Sequence, residues 1–442
     1  MSAFTAAILT EGCKVNRYES EAIAEALEKA GFTIRPSHED CDLYVINTCT
    51  VTAASDKTAR QTVRGLIKRH PGAYVILTGC SVQAHADELS AIPGVDALVG
   101  NRHKLDVITA ALSLTAQGRK TGTPIVSVPP LDGCAFEPMT ITRFDRIRPD
   151  VKIEDGCACR CTYCAIPDAR GPVRSKLPDD VLREVAGLCE AGCREVVLTG
   201  IETGSWGADL DPGPNGERQT LGTLLSAVND LPGICRVRLG SLDPSVMTEE
   251  FVGRIAGLAC LAPHFHLSVQ SGCSRTLARM RRRYNADQAL AALERLRRAI
   301  PGVQFTTDMI VGFPGETEAD FEETLDFARR VRFLKIHVFP YSRRKNTPAA
   351  AMPDQIPPDM KADRAARLSA LSDETGGLLL DERLAAGLPA DVLFERFHGD
   401  FVTGHTPEFM EVKVRSSVNI RGREQTVRLT GREGDLLLGE LI

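Results

Sequence analysis

The run Cys157-Ala158-Cys159-Arg160-Cys161-Thr162-Tyr163-Cys164 places Cys157, Cys161 and Cys164 in a C-x3-C-x2-C spacing. Thiolate is the ordinary ligand of iron-sulfur clusters, so three thiolates so spaced can hold three irons of a 4Fe-4S cube and leave the fourth iron open to a substrate or cofactor. Two other uses of these cysteines compete. With Cys159 as a fourth sulfur the run could bind zinc, although the four ligands crowd one another. A disulfide framework suits small secreted domains, whereas this chain has 442 residues and 14 cysteines and starts without an apolar signal segment. The expected compartment is the reducing cytoplasm.

Positioning such ligands takes strands that deliver their following loops to a shared edge. Over residues 1–115, Ala6 to Thr10, Leu43 to Asn47 and Tyr74 to Thr78 read as buried strands, and Ile23, Ala26, Leu27 and Ala30 recur at helical spacing. This predicts a small parallel α/β domain. Residues 116–149, rich in glycine and proline, read as a linker whose middle could add an edge strand. From residue 150, strands return at Val151 to Glu154, Glu195 to Thr199, Arg236 to Leu239, Phe265 to Val269, Phe305 to Val311 and Lys335 to Phe339. Six β/α units fit a partial, open β/α barrel, assigned to 150–375. A helix from Asp359 to Leu384 then leads to strand-like segments at Val392 to Phe397, Met410 to Val414 and Gln425 to Leu429, a small β domain over 376–442.

Hydrophobic residues at 43% and charged residues at 25% are ordinary for a soluble enzyme. No stretch approaches the roughly 20 apolar residues needed to span a bilayer. The net charge of -5 means that a nucleic-acid partner must be met by local basic patches. Three candidates are Arg275, Arg279, Arg281, Arg282 and Arg283 with Tyr284, then Arg343, Arg344 and Lys345, and Lys413, Arg415, Arg421, Arg423, Arg428 and Arg432 in the last domain. The bland reading of such runs is a solvated helix face; three together favour phosphate contacts.

Cys13, Cys49 and Cys80 each follow one of the first three predicted strands, so all three could meet at one edge of the sheet. Taken singly, each reads as an ordinary buried cysteine; taken together they suggest a second cube with three protein ligands. Cys41, Cys134, Cys189, Cys193, Cys235, Cys260 and Cys273 match no cluster motif and read as structural thiols.

The cysteine run with its flanks, Asp155-Gly156 and Ile166-Pro167-Asp168-Ala169-Arg170-Gly171, resembles the radical S-adenosylmethionine enzymes, in particular their methylthiotransferase branch. The strings Gly12-Cys13-Lys14-Val15-Asn16-Arg17-Tyr18-Glu19-Ser20, Asn47-Thr48-Cys49-Thr50-Val51-Thr52 and Leu77-Thr78-Gly79-Cys80-Ser81-Val82-Gln83 are similar to that branch's amino-terminal domain. The resemblance implies that Cys13, Cys49 and Cys80 hold a second 4Fe-4S cluster, and that S-adenosylmethionine binds the open iron of the cluster on Cys157, Cys161 and Cys164. It further implies cofactor contacts at strand ends: Tyr163, Thr199 and Gly200, Ser241, Gln270, and Val311 and Gly312 of the Gly-Phe-Pro-Gly-Glu turn, with Glu202 a candidate acidic contact. Cys159 occupies a position that the family pattern does not use.

The last domain resembles the small RNA-binding barrel called TRAM through Val392-Leu393-Phe394-Glu395, Gly404-His405-Thr406 and Glu411-Val412-Lys413-Val414. Within the branch, the Gly12 and Asn47 strings and Gln270-Ser271-Gly272-Cys273-Ser274-Arg275-Thr276-Leu277 look most like the subgroup that methylthiolates N6-threonylcarbamoyladenosine beside the tRNA anticodon. The implied chemistry is reductive cleavage of S-adenosylmethionine to a 5'-deoxyadenosyl radical, hydrogen removal from carbon 2 of the adenine, and transfer of a methylated sulfur, a second S-adenosylmethionine being the methyl donor. The implied partners are the tRNA anticodon stem-loop, an external electron donor and a sulfur donor. Sibling activities on isopentenyladenosine or on a ribosomal-protein aspartate, and a non-enzymatic iron-sulfur RNA-binding sensor, are the rival readings.

Overall fold

The computed structural model describes residues 4–50 and 52–442; Val51, within the Asn47 to Thr52 string, lies outside the described residues. The amino-terminal unit runs β1 (Thr5–Thr10), α1 (Lys14–Lys29), β2 (Thr33–Ile34), β3 (Leu43–Thr48), α2 (Ala53–Arg69), β4 (Tyr74–Gly79), α3 (Cys80–Ser90), β5 (Ala97–Val99), α4 (Asp106–Gln117) and β6 (Ile125–Ser127). Its sheet is parallel throughout, in the order β2-β1-β3-β4-β5-β6. Every residue of β3 and β4 is buried, as a parallel sheet covered on both faces requires. Successive residues alternate between two cores: Val45 and Ile76 pack with Ile23, Leu27 and Val107, while Tyr44, Ile46 and Leu77 pack with Val63 and Leu66. The edge strand expected in 116–149 is β6, which pairs with β5.

The second unit contains β7 (Asp150–Lys152), β8 (Glu154–Asp155), α5 (Ile166–Arg170), β9 (Arg174–Ser175), α6 (Pro178–Glu190), β10 (Glu195–Thr199), α7 (Leu221–Asn229), β11 (Arg236–Leu239), α8 (Glu249–Ile255), β12 (His264–Gln270), α9 (Ser274–Arg279), α10 (Ala286–Ala299), β13 (Gln304–Val311), α11 (Glu318–Val331) and β14 (Lys335–Pro340). Six parallel staves form two three-stranded sheets, β11-β10-β7 and β12-β13-β14. Two isolated bridges, Val237 to Leu261 and Leu242 to Leu267, join the halves, and β7 and β14 remain the outer edges of an open barrel. Outward-facing Val196, Leu198, Val237, Leu239, Phe265, Leu267 and Phe305 belong to the core with the helices. The alternate positions Arg238, His264, His266, Thr306, Asp308 and His337 line an interior cavity. A closed β/α barrel fills its interior with branched apolar side chains; this one presents polar groups to an open space.

α12 (Pro358–Ala385) runs unbroken between units, placing Leu368 and Leu371 in the barrel core and Leu380 in the next. Then β15 (Ala390–His398), β16 (Phe401–His405), β17 (Glu411–Arg415), β18 (Glu424–Glu433) and β19 (Leu436–Leu441) close into a small barrel in the order β15-β16-β17-β19-β18. β16 and β19 are additional to the three strands read from the sequence. In β16, Gly404 looks like a turn residue but lies against the neighbouring strand, where a Cβ would fall 2.1 Å from the Leu393 carbonyl oxygen. Among the described residues, no helix is long and apolar enough to cross a membrane.

Candidate functional site

Cys13, Cys49 and Cys80 follow β1, β3 and β4, and the parallel order brings them to one edge of the sheet. Gly12 has φ +97°, and a Cβ there would lie 2.6 Å from Cys49 Sγ, so the turn before Cys13 passes Cys49 only because this residue is glycine. Asparagine and threonine side chains lock the three turns together. Asn16 Nδ2 donates to the carbonyls of Glu11 (2.7 Å) and Thr48 (3.0 Å), Asn47 Nδ2 to that of Asn16 (2.9 Å), and Thr48 Oγ1 to that of Thr78 (2.6 Å). Cys49 and Cys80 are buried and Cys13 is half-buried.

A fully buried guanidinium joins this edge to the open barrel. Arg170, from α5, donates Nε to Cys80 Sγ at 3.0 Å, and its other nitrogens reach Asn16 Oδ1, both Glu19 oxygens and Asp155. Glu19 also pairs with Lys104 and, at 2.8 Å, with Lys152; Asp155 pairs with Lys152 at 2.6 Å and Arg174 at 3.1 Å. Burial pushes the Glu19 carboxyl up, but Arg170, Lys104 and Lys152 outweigh it and hold it well below the usual carboxylate range. The hub thus sets Lys104, Lys152, Arg170 and Arg174 against Glu19 and Asp155, with the Glu137 carboxyl, pushed up by burial, also within electrostatic reach of the two lysines. Uncompensated buried cations are costly, and metal-bound thiolates at the cysteine edge, where Arg170 already donates to Cys80 Sγ, would supply negative charge. The donor set therefore fits an anionic iron-sulfur group.

The second cysteine set lies in the loop between β8 and α5. Its backbone is pinned by Cys157 N–H to the Gly171 carbonyl (3.0 Å) and Thr162 N–H to that of Met280 (3.1 Å). Hydrogen-bond donors already point at the sulfurs: Cys159 N–H at Cys157 Sγ (3.4 Å), Ile166 N–H at Cys164 Sγ (3.4 Å) and Arg282 Nη1 at Cys161 Sγ (3.3 Å). Such donors stabilise thiolates and the clusters they ligate. Burial pushes the Cys164 thiol up to about 11, so iron must displace a tightly held proton there. Cys159 sits beside Cys157 and Glu202, the three ligand atoms within 4.8 Å of one another. Its hydrogen bond with Cys157 lowers the Cys159 thiol to about 6, while burial and then Asp243 raise Glu202 to about 8.

Arg170 and Arg282 each reach a sulfur of one set, a placement that the sequence alone does not show. Arg170 lay in a string singled out only as a flank. Arg282 belongs to a cationic run whose sequence favours phosphate contacts, yet it is held by Asp243 (2.6 Å) and the Ser268 carbonyl (3.0 Å), over the Tyr284 ring.

Between the units lies a cavity of about 1030 Å³ whose wall includes Cys13, Lys14, Thr199, Gly200 and Ser241. The structure thus brings one cysteine of the first set together with three of the expected cofactor contacts. Tyr163, Gln270, Val311 and Gly312 stand at the same end of the barrel without lining this cavity. Tyr163 packs against the cluster of Met280, Phe313 and Tyr341, Gln270 ends β12 at φ +68°, Val311 accepts from Tyr341 N–H at 2.8 Å, and Gly312 N–H donates to Glu316 at 2.6 Å. At the opposite end Phe409 of the small barrel stacks on His264 and His405, with ring centroids 4.6 Å apart in each case, beneath Arg238 and Arg148.

The reading of the three basic patches as phosphate contacts needs correction for many of their members. Arg275 pairs with Asp320, Arg279 donates to the Pro314 carbonyl, and Arg344 is buried against Thr50 and Asp56. Lys413 and Arg432 pair with Glu433 and Asp381. Arg281, Arg283, Lys345, Arg423 and Arg428 are exposed and, among the described residues, have no internal ion pair.

Comparison with known proteins agrees with this geometry. Residues 151–328 match the Radical SAM superfamily, and residues 5–100 match the family described as Uncharacterized protein family UPF0004. The same class of fold occurs in the radical S-adenosylmethionine methyltransferase TsrM from Kitasatospora setae, with a TM-score of 0.58 at 18% identity over 79% of this chain and 77% of that one. Threonylcarbamoyladenosine tRNA methylthiotransferase MtaB of Bacillus subtilis is 37% identical over 96% of this chain and 93% of its own length. The tRNA-2-methylthio-N(6)-dimethylallyladenosine synthase of Acidothermus cellulolyticus is 34% identical over 98% and 87%. This chain belongs to the radical S-adenosylmethionine methylthiotransferase family.

Proposed function

We propose that this enzyme methylthiolates carbon 2 of N6-threonylcarbamoyladenosine beside the anticodon of tRNA, in the cytoplasm, with one 4Fe-4S cluster on Cys157, Cys161 and Cys164 and a second on Cys13, Cys49 and Cys80. One observation carries the reading: a single cavity has Cys13 in its wall and, at the carboxyl ends of the barrel strands, Thr199, Gly200 and Ser241. A base placed there faces both the sulfur-bearing edge and the cofactor edge. Cys157, Cys161 and Cys164 would hold the cluster that S-adenosylmethionine needs, and the cofactor would supply the radical chemistry that an aromatic carbon-hydrogen bond, inert to polar reagents, requires.

The chain's own residues hold, orient and shield. Arg282 and the loop amides offer hydrogen bonds to one thiolate set, and the Arg170 hub gives the other a positive surround. The carboxyl-terminal barrel, read as TRAM-like, closes the lower end of the lumen and presents Arg423 and Arg428 for RNA phosphates. The sulfur donor and the electron donor come from outside the chain.

The relatives named for dimethylallyladenosine favour one second reading, the sibling activity on that nucleoside. Mass spectrometry of tRNA nucleosides from a deletion strain separates the two. The expected result is loss of the 2-methylthio form of threonylcarbamoyladenosine with accumulation of its precursor. Loss of the dimethylallyl product instead would assign the sibling activity, and unchanged tRNA would refute a tRNA substrate.

A further inference from the structure

Cations outnumber carboxylates in the wall of the central cavity, and several of them are already engaged. Arg17 pairs with Asp150 at 2.9 Å, Arg148 with Glu395 at 2.9 Å and Arg146 with Glu21 at 3.5 Å; Asp308 is held by His266 at 3.2 Å. Among the side chains that line it, three stand out for nitrogens with no partner among the described residues. Lys14, next to Cys13, lines the cavity, and among the described residues its ammonium has no hydrogen bond or ion pair. Arg238, 3% exposed, donates Nε to Glu195 and Nη2 to the Pro407 carbonyl, but Nη1 has no partner. His264, 4% exposed, meets Thr306 Oγ1 through Nε2 at 3.0 Å, and its Nδ1 has no partner. The three side chains line the same cavity and lie within electrostatic reach of one another. Buried polar atoms left without partners are uncommon and call for a ligand or a water.

We propose that Lys14, Arg238 and His264 form a carboxylate subsite in the lumen, and that it takes the carboxylate of the threonyl group on N6 of the substrate adenine. This rests on the methylthiolation proposed above. A carboxylate accepts several hydrogen bonds and donates none, which matches three donors with no acceptor among them when His264 carries its proton on Nδ1. Position also agrees. Carbon 2 and N6 leave the same edge of adenine with N1 between them, and Cys13 and Lys14 line the same cavity, so one base edge can address both. An isopentenyl group in the same place would strip these donors of water and return no acceptor, so the subsite discriminates between the two nucleosides.

The test is binding, measured by fluorescence anisotropy on anaerobically reconstituted enzyme. The stem-loops differ only beside the anticodon: threonylcarbamoyladenosine, its methyl ester or plain adenosine. Wild type is expected to bind the first about tenfold or more tightly than the other two, the size of a lost hydrogen bond to a charged group. Lys14→Gln should erase that preference at unchanged iron content, and Lys14→Arg should keep it. Equal weakening of all three stem-loops by Lys14→Gln would place Lys14 on an RNA phosphate and overturn the proposal. So would a preference that survives Lys14→Gln. If that variant fails to load iron, the ester decides with wild type alone, and an undiminished affinity for it overturns the subsite. Wild type that methylthiolates the threonylcarbamoyl stem-loop without preferring it refutes the subsite only; wild type that leaves that stem-loop unmodified refutes the broader function.

Discussion

Arg170→Met isolates what the buried hub does for the amino-terminal cysteines. The side chain is fully buried, and methionine keeps much of its bulk, so the loss is mainly that of the guanidinium. Glu19 would keep Lys104 and Lys152, and Asp155 would keep Lys152 and Arg174. The full cost of stranding a buried charge, about 3–5 kcal/mol, therefore does not apply. The Cys80 sulfur loses its Arg170 donor and Asn16 Oδ1 keeps only the Cys13 thiol at 3.9 Å, and an unmet buried acceptor costs about 1–3 kcal/mol. Together these give a destabilisation of about 2–6 kcal/mol, concentrated at the cysteine edge. Arg170→Lys should fall between, because one ammonium cannot span Cys80, Asn16 and Glu19 at once.

The assay is iron and sulfide content per chain after anaerobic reconstitution, with the rate of iron release to a chelator and the thermal unfolding midpoint. Arg170→Met is expected to lose about half of the iron, a cluster's share if two are bound as proposed, and to release it faster. In a Cys49→Ala background the same change should remove no more. Full iron content with unchanged release, or further loss in the Cys49→Ala background, would refute the reasoning.

Three further outcomes are expected. Cys161→Ala should abolish formation of 5'-deoxyadenosine, whereas Cys49→Ala should leave cofactor cleavage but give no methylthio product, both read by chromatography of reaction mixtures. Phe409→Ala removes two ring stacks and two cation contacts, costing about 3 kcal/mol, and should speed proteolysis at exposed Leu388, where α12 leads into the small barrel. Glu21 is raised from 4.5 to about 7 by burial and then Asp150, against Arg146. The native state therefore holds that proton more tightly than the unfolded chain, so its contribution is full below pH 4.5 and lost as pH rises through about 7, a swing of about 3 kcal/mol. Glu21→Gln should flatten that slope in thermal melts, and an unchanged slope would assign it to other groups.

Much of the scaffold was legible because it is written in short-range pattern. Apolar runs located β10 and β11 at their observed bounds and the other staves to within a residue or two at most ends. The shorter elements were not legible: β5 has three residues and β2 has two, too few for any periodicity. The join between the half-barrels is likewise absent from strand composition, since two isolated bridges make it. The candidate site divides in the same way. Strand ends placed Thr199, Gly200 and Ser241 in the cavity, but nothing local distinguishes them from Gln270 or Val311, which stand outside its wall.

What the sequence by itself determined was the ligand sets: a spacing of three cysteines within eight residues needs no fold to bring it together, and three cysteines each after a parallel strand need only the sheet. Only the tertiary structure decided which charges face them. Arg170 meets a sulfur 90 residues away and Arg282 one 121 residues away, while Arg344, from a run that reads as surface, is buried against Thr50 and Asp56. Sequence periodicity records which face of an element is apolar, but a charged residue's partner and burial depend on what the completed fold packs against that face.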